Sequence, residues 1–192
     1  MSEPVPSPTE SGGQTGHRFE EPAEVAATIP YTFLTVHRPE RDAMVSALAR
    51  VVGVPAGDVD VSEDSNARLD WSAAVLCDYE PLTGDLALAW DVRVSPELSP
   101  PSEGEAARRL ASALGSTVFH PTAGVRPSAY WATTPEGVTT RARVLDMDPG
   151  MCGTPDENVD GPPALVVDAA ESPLAQLPGA RVELIREALG EE

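Results

Sequence analysis

"WSAAVLCDYEPLTGDLALAWDVRV", residues 71–94, carries the pattern on which the fold class turns. In its first arm, Trp71, Ala73, Val75, Cys77 and Tyr79 share one face of an extended chain. In its second arm, Leu86, Leu88, Trp90, Val92 and Val94 share one face, and Ala87, Ala89, Asp91 and Arg93 share the other. Alternation with a period of two puts successive side chains on opposite sides of a strand, whereas a helix would mix the two sets. "EPLTGD" between the arms holds the Pro, Gly and Asp that a reversal needs. The stretch therefore predicts an antiparallel hairpin with one face on a core and the other partly wet.

The same logic works outward. Tyr31-Thr32-Phe33-Leu34-Thr35-Val36 is aromatic and β-branched and predicts a strand. Pro39 suits a first helical turn. Met44, Leu48, Val51 and Val52 follow at helical spacing, so a helix is expected over about 40–52, closed by Gly53. Val59-Asp60-Val61 reads as a short strand. Downstream, Ser102 and Glu105 form a capping box ahead of Ala106, Leu110, Ala113 and Leu114, and Gly115 stops that helix. Thr117-Val118-Phe119-His120 predicts a strand. "AYWATTPEGVTTRARVLDMD" predicts a second hairpin, turned at Pro135-Glu136-Gly137, with Val138, Thr140, Ala142 and Val144 on one face and Arg141 and Arg143 on the other. The order strand, helix, strand, hairpin thus occurs twice if the arm at 86–94 opens the second unit.

The expected fold is α+β: a mainly antiparallel sheet of about six to seven strands, two main helices on one face and a short C-terminal helix. Residues 1–29, rich in Ser, Pro, Glu and Gly, are expected to form a disordered acidic tail. Residues 30–148 are expected to form the domain. Residues 149–178 read as a Pro/Gly/Asp-rich loop holding a short apolar piece, Leu165-Val166-Val167. In 179–192, "GARVELIREAL" predicts the terminal helix, with Val182, Ile185 and Leu189 inward.

The chain of 192 residues carries 31 acids against 13 basic residues, all Arg, for a formal net charge of -18. Residues 30–150 alone hold 17 acids against ten Arg. That charge argues against nucleic acid and anionic membranes as partners and favours a basic protein, or simply a solvated surface. The absence of Lys beside abundant Ala, Val, Pro and Gly suggests a high-GC, actinobacterial genome. No apolar run approaches a membrane span, and "MSEPVPSPTESGGQTG" lacks the basic start and apolar stretch of a secretory signal, so the cytoplasm is the expected compartment. Cys77 and Cys152 are too few for a disulfide framework.

Chemistry is scarce. Asp156-Glu157-Asn158-Val159-Asp160-Gly161 spells the first half of a calcium loop. Position 12 of that frame is Val167, which has no oxygen to give, and Pro162 and Pro163 occupy positions 7 and 8. A frame opened by Asp146 places Asp148 and Glu157 correctly but puts Gly150 and Met151 at positions 5 and 6. Turn residues alone assemble such strings in long loops. His17, His37, Cys77, His120 and Cys152 have no zinc spacing. There is no nucleophile elbow, and a phosphate-binding loop would need a Lys. His37 and His120 read as strand-end residues. No catalytic, cofactor-binding or metal residue is therefore expected, and no cofactor. Of the aromatic residues Trp71, Tyr79, Trp90, Tyr130 and Trp131, the adjacent pair 130–131 places one ring on each face of its strand, so one is a candidate interface anchor.

"ALARVVGVPAGDVDV", "AVLCDYEPLTGDLALAWDV", "RRLASALGSTVFHP" and "PSAYWATTPEGVTTRARVLD" together resemble small actinobacterial α+β proteins of toxin–immunity-type loci over residues 31 to about 150. The resemblance carries packing and turn signals and no catalytic residues. Together with the net charge and the scarcity of catalytic motifs, it implies a non-catalytic protein-binding module, an immunity- or antitoxin-like inhibitor of a basic partner. A small enzyme or ligand-binding protein on the same sheet, or a scaffold acting through acidic tails, is the alternative. A deep pocket holding His37 or His120 beside a carboxylate would favour the enzyme.

Overall fold

In the computed structural model, the described residues are 28–63, 70, 72–122, 128–147 and 161–186. They form an α+β domain in which two helices pack on a mixed, mostly antiparallel sheet of ten strands. The elements are β1 (Ile29–Thr35), α1 (Arg41–Val52), β2 (Val59–Ser62), β3 (Val75–Pro81), β4 (Thr83–Gly84), β5 (Leu88–Val94), α2 (Glu103–Leu114), β6 (Val118–Pro121), β7 (Ala129–Thr133), β8 (Thr139–Asp146), β9 (Ala164–Ala170) and β10 (Arg181–Val182). Their spatial order is β10-β9-β8-β7-β6-β1-β5-β3-β2, with β4 paired to β9.

The doubled strand–helix–strand pattern explains why both helices share a face. β1 and β5 lie side by side and antiparallel. The crossover β1-α1-β2 runs toward one edge of the sheet, and β5-α2-β6 runs toward the other. Crossovers between parallel strands are right-handed. Two right-handed crossovers that leave antiparallel strands in opposite directions lay their helices on the same side. There Met44, Leu48 and Leu110 meet Phe33, Cys77, Trp90 and Val92 in one core.

Helix ends follow the caps. Ser102 Oγ accepts from the Glu105 amide, and Gly53 and Gly115 close the two helices at φ 85° and 63°. The reciprocal half of the capping box is not used: the Glu105 carboxylate turns to Arg108 and Arg109 instead. Along α2 the inward residues are Ala106, Ala107, Leu110 and Ala111, while Ala113, expected inside, is exposed.

A second core lies on the opposite face. Leu34, Leu86, Phe119, Ala132, Ala142, Val144, Val167 and Ala170 meet there, sealed by Leu174 and Leu177. It exists because the sheet curls back on itself. The tip of the β3/β5 hairpin, β4, pairs in parallel with the outer edge of β9. Asp85 N–H donates to the Leu165 carbonyl at 2.8 Å, and the Val167 N–H donates to Asp85 Oδ2 at 3.0 Å. Gly84, at φ 91°, permits this closure; a Cβ there would stand 2.4 Å from the Leu165 carbonyl oxygen.

Four expectations need correction. The sheet has ten strands rather than six or seven, because Leu165-Val166-Val167, expected in a loop, is the centre of β9, and the two-residue strands β4 and β10 pair along its free edge. The first hairpin arm begins at Val75, after a turn closed by the Ala73 N–H to the Asp70 carbonyl. Alternation breaks at Ala87, whose N–H bonds the Thr35 carbonyl, so Leu86 enters the second core while Leu88 enters the first. No C-terminal helix is present over the described part of 179–192. Arg181–Val182 instead runs parallel to β9, and the Glu183 amide bonds the Ala170 carbonyl. A short helix gains little in isolation, whereas an open strand edge offers unpaired backbone groups. Ile185 is buried as expected, but Val182 is 60% exposed; Leu189 lies outside the described residues, as do the N-terminal 1–27.

Candidate functional site

The helix-free face of β1, β5 and β3 remains open beyond the second core. Register sets Thr32 opposite Asp91, and Asp91 opposite Asp78. These residues, with Glu80, Ala89, Tyr79 and Trp90, line a trough of about 310 Å³. Its acidity comes straight from strand alternation: the residues that miss the helix-side core are the polar ones of each arm.

The electrostatics are graded. Asp78 and Asp91, directly opposed like charges, repel one another. Arg93 relieves this by pairing with Asp78 at Oδ2, and the Asp78 side chain is only 10% exposed. The other oxygen of Asp78, Oδ1, is buried with no donor among the described residues. Asp91 and Glu80 are exposed at the mouth. Tyr79, half-buried, packs on Trp90 with ring centroids 5.0 Å apart. Trp90 itself is a core residue whose Nε1 donates to Thr35 Oγ1 at 3.1 Å.

The remaining aromatic residues fall as the adjacency of 130 and 131 predicts. Tyr130 packs against the second core, where burial pushes its phenol above the ordinary value. Trp131 sits on the other face, partly exposed, with the Arg141 guanidinium 5.1 Å from its ring centre. Trp71 lies outside the described residues. Beside Trp131 a charge ladder crosses the outer face of β8–β10. Arg143 reaches Asp168 and Glu183 at 2.7 Å each, Arg181 reaches Asp168 at 2.7 Å, and Arg141 reaches Glu171 at 3.7 Å. Hydrogen bonds from Arg143, then from Arg181, hold the Asp168 carboxyl below its usual value. This face is internally neutralised, unlike the trough.

Of the histidines, His37 and His120 are described and His17 lies outside the described residues. His37 is exposed at the end of β1. His120 is buried beneath the first turn of α2, with Nδ1 3.2 Å from the Pro121 carbonyl and 3.9 Å from Glu103 Oε2. Neither lines the trough. Burial lowers the His120 pKa against the opposing pull of Glu103. Cys77 is fully buried, and desolvation, then Asp78 and Asp91, push its thiol well up, the reverse of an activated nucleophile. Cys152 and the calcium-like string Asp156, Asn158 and Asp160 lie outside the described residues, as do Asp148 and Glu157. Val167, the residue at the closing position of that string, is buried in β9. Among the described residues no group of three His, Cys, Asp or Glu is placed to hold a metal ion.

Sequence reading saw Asp91 and Arg93 on a shared wet face but not their convergence with Thr32, Asp78 and Glu80, which depends on β1 lying beside β5. The signal was the alternation of β3, which puts Asp78 and Glu80 on one side. No protein-family model, no curated protein and no solved structure matches the chain.

Proposed function

We propose that the protein is a non-catalytic binding module whose acidic trough receives basic side chains of a partner protein, in the manner of an immunity- or antitoxin-like inhibitor. The observation that carries the reading is the trough: Asp78, Glu80 and Asp91 around one open cavity. A buried carboxylate oxygen without a donor costs about 1–3 kcal/mol. A guanidinium that displaced part of the trough wall and reached Asp78 Oδ1 would recover that cost. Asp91 and Glu80 at the mouth, within a chain of net charge -18, would steer a cationic surface during approach.

The test is a titration of the full-length protein with an Arg-rich peptide at low and at high salt. Binding at low salt that weakens steeply with added salt, and that Asp91→Asn and Glu80→Gln each reduce about threefold to tenfold, is the expected result. Absence of binding at low salt, or binding indifferent to both substitutions, overturns the reading.

A further inference from the structure

The opposite side of the molecule has the opposite sign. α1 and α2 pack against each other over the sheet, and between their outer faces runs a groove of about 500 Å³. Arg50, Arg108 and Arg109 line it, above a floor that includes Ala47, Val51 and Ala113. In a chain with only 13 basic residues, three converge on this one groove. Glu105 pairs with two of them, Arg108 and Arg109.

These guanidiniums are held in place rather than loose. Arg108 bonds Glu105 through Nε at 2.9 Å and Nη2 at 2.7 Å. Arg109 bonds Glu105 through Nε at 2.7 Å and the Val51 carbonyl through Nη1 at 3.4 Å, tying α2 to the last turn of α1. Arg50 donates from Nε to the Ser46 carbonyl at 3.1 Å. Each fork is therefore fixed by part of its donors. Nη1 of Arg108, Nη2 of Arg109 and both Nη of Arg50 have no partner among the described residues. A fixed planar fork loses less freedom on binding a carboxylate than a free side chain does.

We propose that this interhelical groove docks a carboxylate-rich peptide segment of a partner protein, its acidic side chains on Arg50 and Arg108 and its apolar atoms on the floor. Charge complementarity selects the sign of the occupant. The remaining charge selects its size: a long polyanion such as nucleic acid would meet the acidic rest of the surface, whereas a short segment meets only the groove. The mixed floor suits a peptide with methylene stems and small apolar residues better than an inorganic ion. The groove lies on the helix layer and the acidic trough on the helix-free face, so this inference does not depend on the function proposed above.

The experiment titrates the full-length protein with a fluorescent ten-residue peptide alternating Glu with Ala and Leu. A Lys-for-Glu version and inorganic phosphate serve as comparison probes. The expected result is salt-sensitive binding of the Glu peptide, about tenfold weaker for Arg50→Gln and for Arg108→Gln, with unchanged thermal unfolding midpoints confirming that both variants fold. Asp91→Asn, in the trough, leaves that affinity unchanged. No binding of the Glu peptide at low salt, binding by both Arg variants as tight as that of the wild type, or displacement by phosphate at equal concentration overturns the proposal.

Discussion

His120 shows how much one side chain's surroundings matter. Its strand-end position was legible in "TVFHP", but its burial was not, because α2 arrives over it from residues 103 onward. Burial disfavours the charged imidazole, Glu103 and the Pro121 carbonyl favour it, and burial prevails, so the folded pKa lies below the ordinary 6.5. The unfolded chain then binds a proton at higher pH than the folded one. Stability from this group is complete above pH 6.5 and falls as pH drops from 6.5 toward the folded value. Urea midpoints at pH 7.5 and 5.5 should therefore differ more for the wild type than for His120→Gln. Equal differences would show that His120 does not supply the pH dependence. Cys77 is the complementary case: its apolar neighbours in sequence already marked it as a buried small residue, and the fold agrees.

At the scale of elements, local signals were sufficient wherever an element is stabilised by its own pattern. α1 and α2 are bounded by Gly53, Ser102 and Gly115, whose capping chemistry is local. The β7/β8 hairpin turns at the residues its Pro-Glu-Gly marks, with Gly137 at φ 83°. The C-terminal segment behaves otherwise. "ARVELIREAL" has helical spacing, yet the open edge of β9 draws Arg181–Val182 into an extended pairing, and the Ile185 amide bonds the Glu171 carboxylate at 3.2 Å. The two arrangements make different predictions. Ile185 is fully buried, so Ile185→Ala should cost about 2–4 kcal/mol by urea unfolding. Val182 is 60% exposed, so Val182→Ala should cost less than about 0.5 kcal/mol. A helix with both residues inward would make both substitutions costly.

At the scale of the whole molecule, two cores on opposite faces of one sheet depend on the closure between β4 and β9. Gly84 sits at that seam. Gly84→Ala adds a Cβ 2.4 Å from the Leu165 carbonyl oxygen and forces an L side chain into the left-handed region. Its expected cost is about 3 kcal/mol, with binding of a hydrophobic dye as the second core opens. Gly137→Ala, with a similar φ of 83° but no atom within 4 Å of the added Cβ, should cost only about 1 kcal/mol. Equal costs would mean the seam contributes nothing beyond backbone conformation. The sequence by itself determined the α+β class, the two helices, the alternating hairpins and the acidic character, because alternation, capping and charge are properties of neighbours along the chain. Only the tertiary structure decided that Leu165–Val167 is a strand, that Leu86 and Leu88 enter different cores, and that acids of β3 and β5 gather on one face while arginines of α1 and α2 gather on the other. Each of these depends on which distant strand or helix lies alongside, and the pairing energy that selects the partner is shared between segments 25 to more than 80 residues apart, as between Arg143 and Asp168 or Asp85 and Val167.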